Sequence, residues 1–180
     1  QAAFADYGQY LDSLEMTATI KGFEPLYIQR IAQLTNKSNQ FNLTTLRCSE
    51  DDIRAMAGDK NDLCLCGKLV DKFGDNGMVP VVAGRQQGDV LDLTLWLMSC
   101  RVLKRGMEDA MMDTVVAEAA ARGVKTIVGH YYPTAKNAMV REFYAQYDFA
   151  KTAEDADGNT EWTLDVSAYT PKHPHMKIER

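Results

Sequence analysis

The chain has no run of about 18 apolar residues, so no segment is long enough to cross a bilayer as a helix. No signal-peptide pattern stands at its start. Positive charge is in the minority: 25 Asp and Glu against 20 Lys and Arg leave a net charge of −5, which argues against a broad electrostatic grip on nucleic acid. Cysteine is sparse. Cys48, Cys64, Cys66 and Cys100 form no CxxC, and three histidines do not supply the other half of a zinc site, so no metal is expected. Cys64 and Cys66 fall on one face of a strand, as small buried apolar residues would. Without a secretion signal, Asn36-Lys37-Ser38 and Asn42-Leu43-Thr44 carry no weight as glycosylation sites, and a reducing, cytoplasmic compartment is expected. Gln1 in place of Met is expected of a piece of a longer polypeptide. Internal repeats and interior linkers are missing too. One domain over 17–170 is expected, after a helical lead-in (1–16) and before a polar, mobile tail (171–180).

What is present is a clear alternation of elements. Phe4, Tyr7, Leu11 and Leu14 have helical spacing over 4–16, and a strand over 17–23 follows. Pro25 suits the first turn of a helix that buries Leu26, Ile31 and Leu34 and runs to about Asn36. Residues 39–42 are a polar loop. Ser49 before Glu50, Asp51 and Asp52 is a helix start. Strands over 63–73, 78–85 and 89–98, with 74–77 and 86–88 between them, predict an antiparallel meander. In the third, Leu91, Leu93, Leu95 and Leu97 line one face, and Asp92, Thr94 and Trp96 the other. A helix over 107–122 stops at Gly123. A strand over 124–131, a helix over 137–147 and a hairpin turning at 155–159 complete the order. The strand–helix–strand from Asp89 to Tyr131 makes a parallel pair, so the fold is α/β with a mixed sheet.

The most informative stretch is Ser99-Cys100-Arg101-Val102-Leu103-Lys104-Arg105-Gly106. A strand delivers a basic, glycine-containing turn to a helix N-terminus, where N–H groups lack partners and the dipole favours an anion. Arg101, Lys104 and Arg105 oppose that dipole unless a phosphate, or acids such as Glu108 and Asp109, answer them. Lys136 and Asn137 begin the later helix and extend the anion site. Cys100 is read as packing rather than as a nucleophile, and His130 as a satisfied core or rim histidine rather than a catalyst. Asn39, Gln40 and Asn42 carry turn chemistry or a ligand contact. Tyr144, beside Phe143, is either a functional hydroxyl or an interface tyrosine.

This order resembles the GNAT acyltransferase fold: a mostly antiparallel mixed sheet flanked by helices. Arg105, Gly106, Met107, Glu108, Asp109 and Ala110 stand where the family has Arg or Gln, two residues, Gly, one residue, then Gly or Ala around the pyrophosphate of coenzyme A. Glu108 replaces the central Gly. Asn137 and Tyr144 match a second family spacing, with Asp148-Phe149 in place of Gly-Phe. Four blocks resemble FkbH-like proteins across about residues 10 to 170. They are 30–45 (RIAQLTNKSNQFNLTT), 71–77 (DKFGDNG), 98–106 (MSCRVLKRG) and 132–137 (YPTAKN).

The resemblance implies a C-terminal GNAT-like domain of a protein whose haloacid-dehalogenase-type domain is not in this chain. It also implies work on glyceryl units bound for methoxymalonyl extender units, with an acyl carrier protein and that second domain as partners. The ligand implied is the phosphopantetheine of the carrier or of coenzyme A. Ser99, Cys100, Arg101 and Val102 would hold its pantetheine; Arg105, Gly106, Met107, Asp109, Ala110 and Asn137 its phosphate. Asn39, Gln40 and Asn42 would touch substrate, and Tyr144 would be the general acid. Two functions follow: an acyltransferase using a thioester, or a docking module that has lost acetyl-CoA chemistry. Glu108 favours the second, because a carrier arm lacks the pyrophosphate that its charge would repel.

Overall fold

Alternating apolar and polar residues pair the strand segments into a single twisted layer. The computed structural model describes residues 6–99 and 105–180. Its strands are β1 (Thr17–Lys21), β2 (Asp62–Asp71), β3 (Gly74–Gln87), β4 (Val90–Leu97), β5 (Thr126–Tyr131), β6 (Ala150–Glu154), β7 (Thr160–Asp165) and β8 (Lys177–Glu179). They lie in the order β6-β7-β5-β4-β3-β2-β1-β8. The β4–β5 and β1–β8 pairs are parallel; the others are antiparallel.

Helices cover both faces. On one side α1 (Tyr7–Ser13) and α4 (Met107–Ala121) bury Leu11, Met111, Val115 and Ala119 against Leu69, Val82 and Leu93. On the other, α2 (Ile28–Lys37) and α3 (Glu50–Gly58) bury Ile31, Leu34 and Ile53 against Val81, Ala83 and Leu95. The α3 start is a reciprocal cap: Asp52 N–H donates to Ser49 Oγ at 3.1 Å, and Ser49 N–H to Asp52 Oδ2 at 2.8 Å.

Several expectations are corrected. Residues 74–77 belong to β3, and the turn is Lys72-Phe73, closed by Phe73 N–H on Asp71 Oδ1 at 2.8 Å. The helix expected over 137–147 is two 3-10 turns, Ala138–Val140 and Phe143–Tyr147. Apolar residues at 140, 143, 144 and 147 satisfy either geometry, so spacing alone does not separate them. The tail expected to be mobile instead crosses α4 and ends in β8: Lys172 and His173 N–H donate to the Asp113 carboxylate, and Lys177 N–H to Met16 O.

The largest correction lies in β4. A bulge between Leu93 and Leu95, opposite Gly84 and Ala83, turns the strand over. Leu91 and Leu93 stay on the α4 side, Leu95 and Leu97 pass to the α2 side, and Trp96 and Met98 take their place under α4. Pairing with β5 stops at Asp92 and Val128, just before the bulge. Beyond that point β4 and β5 have no ladder between them.

Candidate functional site

The parting of β4 and β5 is filled by the chain itself. Leu43 N–H donates to Trp96 O and Met98 N–H to Phe41 O, both at 3.0 Å, while Tyr132 N–H donates to Leu43 O at 2.9 Å. Residues 41–43 therefore act as a short rung bonded to both strands, and Leu43 is fully buried. Asn137 fastens it. Its Nδ2 donates to Asn42 O and Tyr132 O at 3.0 Å, and its Oδ1 accepts from Thr134 N–H at 2.8 Å and Tyr131 Oη–H at 3.2 Å. Asn42 Oδ1 accepts from Thr45 N–H, and its Nδ2 donates to Ser38 O. Both asparagines have no exposed surface. The substrate role expected of Asn42 and the phosphate role expected of Asn137 are thus corrected to structural ones, since Asn137 has no polar atom left to offer.

The N-terminus of α4 is also engaged from within. Gly106, at φ +92°, is its N-cap. The Glu108 side chain turns back onto this terminus. Burial pushes its carboxyl up, and the N–H groups of Glu108 and Gly106 pull it partly back down. Its Oε2 is buried with no hydrogen-bond partner among the described residues. Arg105 forms an ion pair with the buried carboxylate of Asp71. Burial raises the Asp71 carboxyl, but Phe73 N–H, the Asn76 amide and the Arg105 guanidinium outweigh it and hold it below the usual range. The tail closes the remaining side: a Cβ added at Gly106 would lie 3.1 Å from Pro174 Cβ.

The other expected ligands there are similarly placed. Met107 and Ala110 are fully buried in the core. Asp109 Oδ1 accepts from Tyr147 Oη–H at 2.6 Å. The Glu108 carboxyl thus faces N–H groups of this terminus that a diphosphate would need.

Tyr144, expected as general acid, is 1 % exposed and packs flat against Gly129 of β5. Burial, then the Asp92 charge, pushes its hydroxyl well above the ordinary tyrosine range. On the opposite face, at the point where β4 and β5 part, His130 Nε2 lies 2.6 Å from Asp92 Oδ1. That hydrogen bond holds the imidazole pKa above its ordinary value despite burial. Sequence alone shows a satisfied core or rim histidine with no partner in view: Asp92 is 38 positions away, and no local pattern joins them.

A cavity of about 540 Å³ opens between α2 and the loop before Asn137. Arg30, Lys37 and Lys136 line it around Asn39, Gln40 and Ser99, over an apolar floor that includes Phe41 and Met98. Three of the expected site residues therefore meet in one place. Cys100, Arg101 and Val102 lie outside the described residues.

No family model and no curated protein matches the sequence. Solved structures do match the fold. The ribosomal-protein-S18-alanine N-acetyltransferase from Escherichia coli superposes with a TM-score of 0.62 at 16% identity, over 86% of this chain and 97% of that one. The GNAT domain of S. lividans PAT gives 0.62 at 15%, over 81% and 89%. Spermidine N-acetyltransferase from Vibrio cholerae, in complex with CoA and spermine, gives 0.60 at 10%, over 83% and 96%. The chain has the GNAT fold.

Proposed function

We propose that this domain receives the phosphopantetheine arm of an acyl carrier protein and has given up acetyl-CoA chemistry. One observation carries the reading: Glu108 presents its own carboxyl to the α4 N-terminus, where a diphosphate would need the N–H groups. A carrier arm carries a single phosphodiester and asks for no such site. The rung at residues 41–43 uses the Met98 donor and the Trp96 acceptor between β4 and β5, so an arm of either origin has to lie elsewhere on the domain. On the FkbH-like resemblance, the domain is a cytoplasmic docking module that presents a glyceryl-loaded carrier to a haloacid-dehalogenase-type domain.

The test is calorimetric titration of this chain with acetyl-CoA and, separately, with the apo and holo forms of an acyl carrier protein from the same source. The reading expects binding of the holo carrier, weaker binding of the apo form, and none of acetyl-CoA. Micromolar binding of acetyl-CoA would overturn it and restore the acyltransferase reading.

A further inference from the structure

We infer that the phosphate of the arm is bound in the cavity between α2 and the 133–137 loop, by Arg30, Lys37 and Lys136, and not at the α4 N-terminus. The inference rests on the carrier-arm reading above and deepens it by naming the site.

The charge pattern comes first. The chain is acidic overall, yet among the described residues every charged one that lines this cavity is a cation. Arg30, Leu34 and Lys37 occur at i, i+4 and i+7, so α2 turns one face to the cavity, with two cations flanking a buried leucine. Lys136 faces them across the opening. None of the three forms an ion pair among the described residues, whereas Arg54, Lys68, Arg85, Arg105, Lys151 and Lys172 each have a carboxylate partner. Like charges gathered around one cavity repel, and an anion among them relieves that repulsion.

The wall behind them is built rather than loose. Arg47 caps the end of α2, donating to Thr35 O, Ser38 O and Asn39 Oδ1. It meets carbonyl and amide oxygens and no carboxylate among the described residues, so a fourth uncompensated cation stands behind the wall. Asn39 is held in place by that guanidinium. Phe41, anchored through its carbonyl to Met98 N–H, forms an apolar floor beneath. Cationic rim, amide wall and apolar floor suit a phosphodiester followed by an aliphatic, amide-bearing arm.

The probes are free 4′-phosphopantetheine and pantetheine, titrated by NMR into the wild type and into a Lys37→Ala/Lys136→Ala variant. Both lysines are solvent-exposed, so the variant should fold. The expected result is tighter binding of phosphopantetheine than of pantetheine by the wild type, with the preference reduced tenfold or more in the variant and pantetheine binding unchanged. A preference that survives in the variant overturns the inference and leaves the carrier reading standing. So does a variant that loses affinity for apo carrier while keeping the preference, which would assign the lysines to the carrier's protein surface. Failure of both probes to bind the wild type also overturns it, and the holo-carrier titration then decides separately whether the proposed function falls as well.

Discussion

The side-chain amide of Asn137 donates to the main-chain carbonyl of Asn42 at 3.0 Å, joining two segments 95 positions apart. That bond, with its companions on Tyr131, Tyr132 and Thr134, ties the rung between β4 and β5 to the end of β5. Much of what distinguishes this chain's site from an open fork between two strands depends on it.

Asn137→Ala should therefore be costly. It strands buried donors and acceptors on several partners, and each unsatisfied group costs about 1–3 kcal/mol. A loss of about 2–4 kcal/mol in urea unfolding is expected. A change no larger than the roughly 0.5 kcal/mol of an ordinary surface substitution would mean that the rung is held by something else.

Gly129→Ala tests the packing of Tyr144. A Cβ at position 129 would lie 2.5 Å from Tyr144 Cζ and 2.6 Å from Cε2, inside contact distance. A destabilisation of about 1–3 kcal/mol is expected from overpacking. It should shrink in a Tyr144→Leu background, where the ring is gone. Additive costs in the double variant would break the proposed contact.

Stability should depend on pH through His130. Asp92 raises the folded-state pKa of the imidazole, so the folded chain holds this proton more tightly than the unfolded one. The resulting stabilisation is fully present below about pH 6.5, the unfolded value, and is lost as pH rises through the higher folded value. Asp92→Asn should lower the His130 titration midpoint seen by NMR and flatten this limb of the stability profile. An unchanged midpoint would show that Asp92 does not govern the ring.

The thiols of Cys48, Cys64 and Cys66 should be inert in the native protein. Burial pushes Cys64 up to about 12 and Cys66 to about 11, and raises Cys48 as well. At pH 8 almost none of Cys64 or Cys66 is thiolate, so iodoacetamide should label them only after unfolding. Rapid native labelling of Cys64, which is half-buried, or of buried Cys66, read by mass spectrometry, would contradict their raised pKa.

Local signals in the sequence carried much of the fold. Ser49 with Asp52 announced the start of α3, Gly123 the end of α4, and Asp155 to Asn159 the last turn, because caps and turns are decided by a few neighbouring side chains. Strict alternation over β4 put Leu91, Leu93, Leu95 and Leu97 on one face. The bulge before Leu95 split them, since it depends on what β3 offers opposite and not on the strand's own residues. Of the expected site, Asn39, Gln40 and Ser99 do gather at one cavity. Arg30 and Lys37 went unnoticed there, although their spacing around Leu34 was visible, because a helix face becomes a wall only when something stands across from it.

Composition, periodicity and caps determined by themselves that this chain is an acidic α/β domain with a mixed sheet, because burial of apolar stripes and satisfaction of chain ends are local matters. Only the tertiary structure decided that β4 turns over at Thr94, that residues 41–43 close the gap to β5, and that Glu108 and the C-terminal segment claim the α4 terminus. These are pairings between segments distant in sequence, and their energies exist only once the backbone has brought the donors and acceptors within hydrogen-bonding reach.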